Sequence, residues 1–85
     1  MPDWWPQIRR VDLLSIREKD VFWLLGAGCS NRSISVRLQV TERTVKAHVA
    51  RILTKLEVES RLQAGLVSYI YHQTQGRHLA AVKAG

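Results

Sequence analysis

Hydrophobic positions along this chain recur with the spacing of helices. Val21, Phe22, Leu24 and Leu25 form one apolar face of a first helix that opens at Ser15. Ser15 and Glu18 read as a capping box, which satisfies amide donors that the first turn leaves orphaned. Gly26 and Gly28 close this helix, with Gly28 the expected left-handed terminator. A short second helix follows, capped by Ser30 or Asn31. Ile34 and Leu38 point inward from it, and Ser35 is small enough for close helix approach. Gln39, Val40 and Thr41 then join it to a third helix over about residues 42–56. A turn that brief forces two helices to cross steeply. Thr41 caps the third helix, and Glu42 suits its positive end. At about 100° per residue, Val45, Val49, Ile52 and Leu56 fall on one stripe, which Leu53 widens.

Ser60 and Gln63 make a second capping box and open a fourth helix. That helix has two apolar sides. Leu62, Leu66 and Tyr69 lie on one, and Ala64, Val67 and Tyr71 on the other. One side covers the domain's own core; the other requires a partner or stays exposed. The ends read differently. Residues 1–12 contain two prolines within six positions and show no helical period, so they read as a lead-in whose Trp4 and Trp5 pack back on the domain or on a partner. Trp23 projects away from the apolar face of the first helix and is expected to be covered by Trp4, Trp5 or a partner. Residues 13–74 form the expected domain. Residues 75–85 read as a weakly structured tail in which Leu79, Ala80, Ala81 and Val82 extend a helix.

Composition narrows the function. Eighty-five residues make one domain with a modest core, too little material for a deep enzyme cleft. The net charge of +6 points toward a polyanion, the alternative being charge for solubility alone. Cys29 is the single cysteine, so no internal disulfide and no cysteine zinc site is expected. It reads as a small apolar filler at a helix end. The three histidines lack metal-ligand spacing. No apolar run approaches the roughly 18 residues of a membrane span, and the amino terminus does not read as a signal peptide. A cytoplasmic domain with no catalytic residues, metal, cofactor or small-molecule ligand is the expectation.

The outward face of the third helix carries the chemistry. A helix that reads DNA needs an anchored inner stripe and a narrow outer face that fits a groove about 12 Å wide. It also needs flanking cations that reach phosphates. Val45, Val49, Ile52 and Leu56 meet the first need, and Ala47 and Ala50 the second. Arg43, Lys46, Arg51 and Lys55 meet the third, as the four cations between Thr41 and Leu56 against the single anion Glu42. Arg43 and Lys46 stand near the helix start, the end that reads bases in helix-turn-helix proteins. Either suits guanine N7 and O6, and Ala47 suits a thymine methyl. Thr44, Arg51 and the first backbone amides suit phosphates. Asn31 joins this DNA-facing set. The competing view is that these are ordinary solvated cations; the short turn and the small residues between the cations weigh against it. His48 lies at the edge of the buried stripe, where it touches a phosphate or packs with its nitrogens satisfied. Packing is the favoured expectation.

Five blocks of sequence resemble the LuxR-type (GerE, NarL and FixJ) helix-turn-helix family. They are Leu14-Ser15-Ile16-Arg17-Glu18-Lys19-Asp20-Val21, Gly28-Cys29-Ser30-Asn31-Arg32-Ser33-Ile34-Ser35, Thr41-Glu42-Arg43-Thr44-Val45-Lys46-Ala47-His48, Ile52-Leu53-Thr54-Lys55-Leu56 and Ser60-Arg61-Leu62-Gln63-Ala64. The resemblance implies an all-α, four-helix domain that binds double-stranded DNA as a homodimer and controls transcription in bacteria. It implies that the third helix enters the major groove, with Lys46, Ala47 and Ala50 at positions that usually meet bases and Thr44 at a usual phosphate contact. It also implies that the fourth helix makes the dimer contact through Leu62, Leu66 and Tyr69, with Gly65 permitting close approach. Ala50 stands where many members carry a polar or basic residue, Glu57 where a glycine is common, and Trp23 at a usually polar site. Most members carry a sensing domain ahead of this one, so the chain reads as a stand-alone regulator or an excised fragment.

Two other readings compete. A promoter-reading domain like that of a sigma factor shares the fold and adds RNA polymerase as a partner, but the Ser-Asn and Lys-x-His pairs argue against it. A protein-interaction module with a basic face for an acidic partner is kept open by Trp4, Trp5 and Trp23. An enzyme finds little support.

Overall fold

The computed structural model describes the backbone of residues 3–84 and the side chains of residues 3–74. Among these, every regular element is helical: α1 Trp5–Arg9, a 3-10 turn Arg10–Leu13, α2 Ile16–Gly26, α3 Asn31–Leu38, α4 Glu42–Leu56 and α5 Arg61–Ala84. The four expected helices are α2 to α5. The lead-in is not devoid of helix, as its lack of period implied. Pro6 sits in the first turn of α1, where its fixed φ suits a helix start and its missing donor costs nothing. Five residues are too few for an apolar period to show. The 3-10 turn then carries Val11 into the core, beside which Trp4 and Ile8 also pack. Trp5 stays exposed. At the other end the backbone of α5 runs as helix through the expected tail to Ala84.

The predicted caps form. Ser15 Oγ accepts from the Glu18 amide at 3.1 Å while Glu18 Oε1 accepts from the Ser15 amide at 2.8 Å. Ser30, not Asn31, caps α3, and Thr41 caps α4. Ser60 Oγ accepts from the Gln63 amide at 3.2 Å, and Gln63 Oε1 accepts from the Ser60 amide at 3.1 Å.

Three helices stop in the same way. After α2, α3 and α4 the chain turns through a left-handed residue, and an amide reaches back five positions to a last-turn carbonyl. These bonds run from Cys29 to Leu24, from Val40 to Ser35 and from Val58 to Leu53, at 3.0, 3.0 and 3.1 Å. Gly28 takes the left-handed position after α2, as expected, at φ 85°. Gln39 and Glu57 take it after α3 and α4, at φ 58° and 59°.

The stripes Val21, Phe22, Leu24, Leu25 and Val45, Val49, Ile52, Leu56 are buried together with Ile34, Ala64 and Val67. α5 lies closely against α2. A Cβ added at Gly26 would stand 2.8 Å from Ser68 Cβ, so Gly26 sets this approach as well as sitting at the helix end. Buried Ser68 donates to the Phe22 carbonyl at 2.6 Å and fastens the pair. Trp23, 53% exposed, meets neither Trp4 nor Trp5; the His72 ring stands edge-on to it at 4.1 Å between centroids. Burial pushes the His72 imidazole below its usual range, outweighing the bond between its Nδ1 and the Ser68 carbonyl, which raises it.

Candidate nucleic-acid interface

α4 is anchored by its apolar stripe and clamped at its C-terminal end. Lys55 bends from its backbone position to Glu18 on α2, where Nζ donates to Oε1 at 2.7 Å. Glu18 is only 3% exposed. Burial pushes its carboxyl up, but the Lys55 ammonium and the Ser15 amide and hydroxyl together hold it below its ordinary value. Arg10, from the 3-10 turn, donates its Nε to the Lys55 carbonyl, covering a last-turn acceptor of α4. Its Nε also lies 3.7 Å from Glu57, the residue after the helix.

With its inner side held, α4 turns the other side outward. Arg43, Thr44, Lys46, Ala47, Ala50, Arg51 and Thr54 are all exposed. Among the described residues Arg43, Lys46 and Arg51 form no ion pair, whereas Thr54 bonds back to the Ala50 carbonyl at 3.2 Å. The face is a low floor of alanines with cations at its margins, the shape and charge that a polyanion groove accepts. Two members of the expected DNA-facing set have partners within the chain. Lys55 is drawn to Glu18 rather than left free at the margin. Asn31, the first residue of α3, is half-buried, and its Oδ1 accepts from Arg61. Arg61 also donates to the Cys29 carbonyl at 2.7 Å, tying the start of α5 to the start of α3. Neither Arg10 nor Arg61 stood out in the sequence, because their partners lie 45 and 30 residues away and leave no local period.

His48 is half-buried at the edge of the stripe, as a packing residue would be, but its nitrogens are not both satisfied. Nδ1 is enclosed with no hydrogen-bond partner.

On α5 the two apolar sides separate as expected. Ala64 and Val67 are buried, while Leu62, Leu66 and Tyr69 are 72%, 43% and 56% exposed. With Leu25, Gly26, Gly28, Cys29 and Arg61 they line an open groove between α5 and the end of α2. Gly65 faces the end of α2. A Cβ there would stand 3.3 Å from the Leu25 carbonyl, so the close approach it permits is that of α5 to α2 within the chain. Among the described residues no three His, Cys, Asp or Glu side chains are placed to hold a metal ion. No helix there is long and apolar enough to cross a membrane.

A recognition-type helix, mounted on a shorter scaffold helix through a three-residue turn and presenting a cationic outer face, defines a helix-turn-helix DNA-binding domain. The chain belongs to the LuxR family: the model of the bacterial regulatory proteins of that family, GerE, matches residues 12–68. It is 42% identical over 67 residues to an uncharacterized transcriptional regulatory protein, YhcZ, of Bacillus subtilis, covering 79% of this chain and 31% of that protein. It is 41% identical over 58 residues to the nitrate/nitrite response regulator NarL of Escherichia coli, covering 68% of this chain and 27% of NarL. It is 38% identical over 64 residues to the response regulator VraR of Staphylococcus aureus, covering 75% and 31%. The chain thus spans less than a third of the length of these relatives. Its family consists of DNA-binding transcription regulators, which are not enzymes.

Proposed function

We propose that this domain binds duplex DNA sequence-specifically as a homodimer, with α4 in the major groove of each half-site and α5 pairing the two copies. The single observation that carries the reading is the division of α4. Its stripe Val45, Val49, Ile52 and Leu56 is buried, while Arg43, Lys46, Ala47, Ala50 and Arg51 are open to solvent. Lys46 and Arg43 read base edges from the helix start, Ala47 and Ala50 let the backbone approach, and Thr44 and Arg51 hold phosphates. The exposed Leu62, Leu66 and Tyr69 then meet their counterparts across a two-fold axis, so one surface serves both copies. Transcription control in a bacterium places this in the cytoplasm and brings RNA polymerase in as a further partner.

Selection of bound sites from random duplexes tests the reading. The expected product is a pair of inverted half-sites whose centres lie about one helical turn apart, or a multiple of it. Absence of enrichment, or a single unpaired motif, would overturn DNA reading or dimer binding respectively. On the selected operator, Lys46→Ala is expected to weaken binding by about 1–3 kcal/mol and to relax preference at one base position. Equal weakening on every sequence would make Lys46 a phosphate contact.

A further inference from the structure

We infer that His48 is a hydrogen-bond donor to the DNA backbone, presenting Nε2–H to a phosphate oxygen at the margin of α4. The assignment rests on the reading of α4 as the groove helix.

The observation is the enclosed Nδ1 of His48, which has no hydrogen-bond partner among the described residues. A neutral imidazole carries one hydrogen, on either ring nitrogen. Placing it on Nδ1 would bury an N–H with no acceptor, an arrangement that folded proteins rarely tolerate. The hydrogen therefore belongs on Nε2. The ring is only half-buried, and Nε2 is not among the enclosed polar atoms, so this edge is the one that solvent reaches. The fold thus selects one tautomer and points its donor outward.

The direction matters. At about 100° per residue, His48 lies roughly 40° around α4 from Thr44 and roughly 60° from Arg51. Both of those are exposed. Thr44, His48 and Arg51 form a row along one margin of the alanine floor, where a strand of phosphates would run. Lys55 continues that row but is spent on Glu18. His48 stands between Thr44, whose hydroxyl accepts from Thr41 at 3.0 Å, and Arg51, and offers a donor that needs no counter-charge inside the protein.

His48→Phe tests this, because it keeps the ring and removes both nitrogens. It is expected to melt at or above the wild-type temperature, since the unpaired Nδ1 is gone. It is also expected to bind about tenfold more weakly, to the selected operator and to random duplex alike. At pH 8 the salt dependence of its binding keeps the wild-type slope, because no cation is lost, whereas Arg51→Ala flattens it by about one unit. His48→Gln, which returns an N–H donor at similar reach, regains most of the affinity. Wild-type binding by His48→Phe alongside weakened binding by Lys46→Ala overturns this assignment alone. Wild-type binding by both overturns the reading of α4 itself. An independent measurement uses the unaltered, nitrogen-15-labelled protein. Its ring spectrum is expected to show the hydrogen on Nε2 and a change at that nitrogen on adding duplex. A hydrogen on Nδ1, or a ring that ignores the duplex, overturns the assignment.

Discussion

Two residues sit in backbone conformations that favour glycine, and neither is glycine. Gln39 and Glu57 end α3 and α4 at φ 58° and 59°. A side chain there crowds the neighbouring carbonyl at a cost of about 1 kcal/mol or more. Glu57→Gly is expected to stabilise the domain by about 1 kcal/mol, read as a melting temperature about 4–8 °C higher. The contact with Arg10 does not reverse this, because at 3.7 Å and with the Glu57 side chain 65% exposed it is a surface pair. An unchanged or lower melting temperature would show that the turn is not strained. Gly26 behaves in the opposite way. Alanine there gains about 1 kcal/mol of helix preference but forces its Cβ to within 2.8 Å of Ser68 Cβ and 3.1 Å of the Tyr69 amide. Neither neighbour can swing aside, so Gly26→Ala is expected to destabilise by about 1–2 kcal/mol net in chemical unfolding. Equal or greater stability would place the close approach elsewhere. The departure of Glu57 from glycine was visible in the sequence. The second role of Gly26 was not, because it depends on a residue 42 positions away.

Helices were the most legible level. Each predicted cap and each buried stripe on α2 to α5 depends on residues three or four apart, and the sequence carries those relations directly. The face of α4 was legible for the same reason. The pairing of Lys55 was not legible, because its side chain is long enough to leave the direction its Cα sets and reach Glu18 on another helix. The partner of Asn31 was not legible, because Arg61 comes to it from thirty residues away. The Glu18–Lys55 pair makes its own prediction. The Glu18 carboxyl is held below its ordinary value in the folded chain. It therefore contributes stability above the unfolded carboxylate value, about 4.3, and loses that contribution as pH falls through the lower folded value. Urea unfolding of wild type and Glu18→Gln as a function of pH is expected to show a gap that is full at pH 7 and closes in acid. A gap independent of pH would remove the ion pair from the account. At neutral pH, Lys55→Ala should cost more than the 0–1 kcal/mol or so of a surface pair and less than the roughly 3–5 kcal/mol of a fully buried one, because Lys55 keeps partial contact with water.

At the scale of the molecule, two surfaces share one small core. α4 presents cations, and α5 presents Leu62, Leu66 and Tyr69 on a different helix. Leu66→Asp is expected to leave the melting temperature of the monomer nearly unchanged, since Leu66 is exposed in the single chain, and to abolish cooperative binding to paired half-sites. Retained cooperativity in band-shift titrations would move the pairing surface elsewhere. The polar clamps on α4 (Lys55 to Glu18, Arg10 to the Lys55 carbonyl, and the turn through Glu57) all grip its C-terminal end. Among the described residues none of these clamps involves residues 43–51, and at the other end of the helix the Thr44 hydroxyl meets only the capping Thr41. Mutation can therefore rewrite Arg43, Lys46, Ala47 and Ala50 with little penalty in folding. If α4 reads the operator as proposed, a lineage carrying this fold can drift from one operator to another through folded intermediates, altering which genes it answers to while the scaffold beneath stays the same.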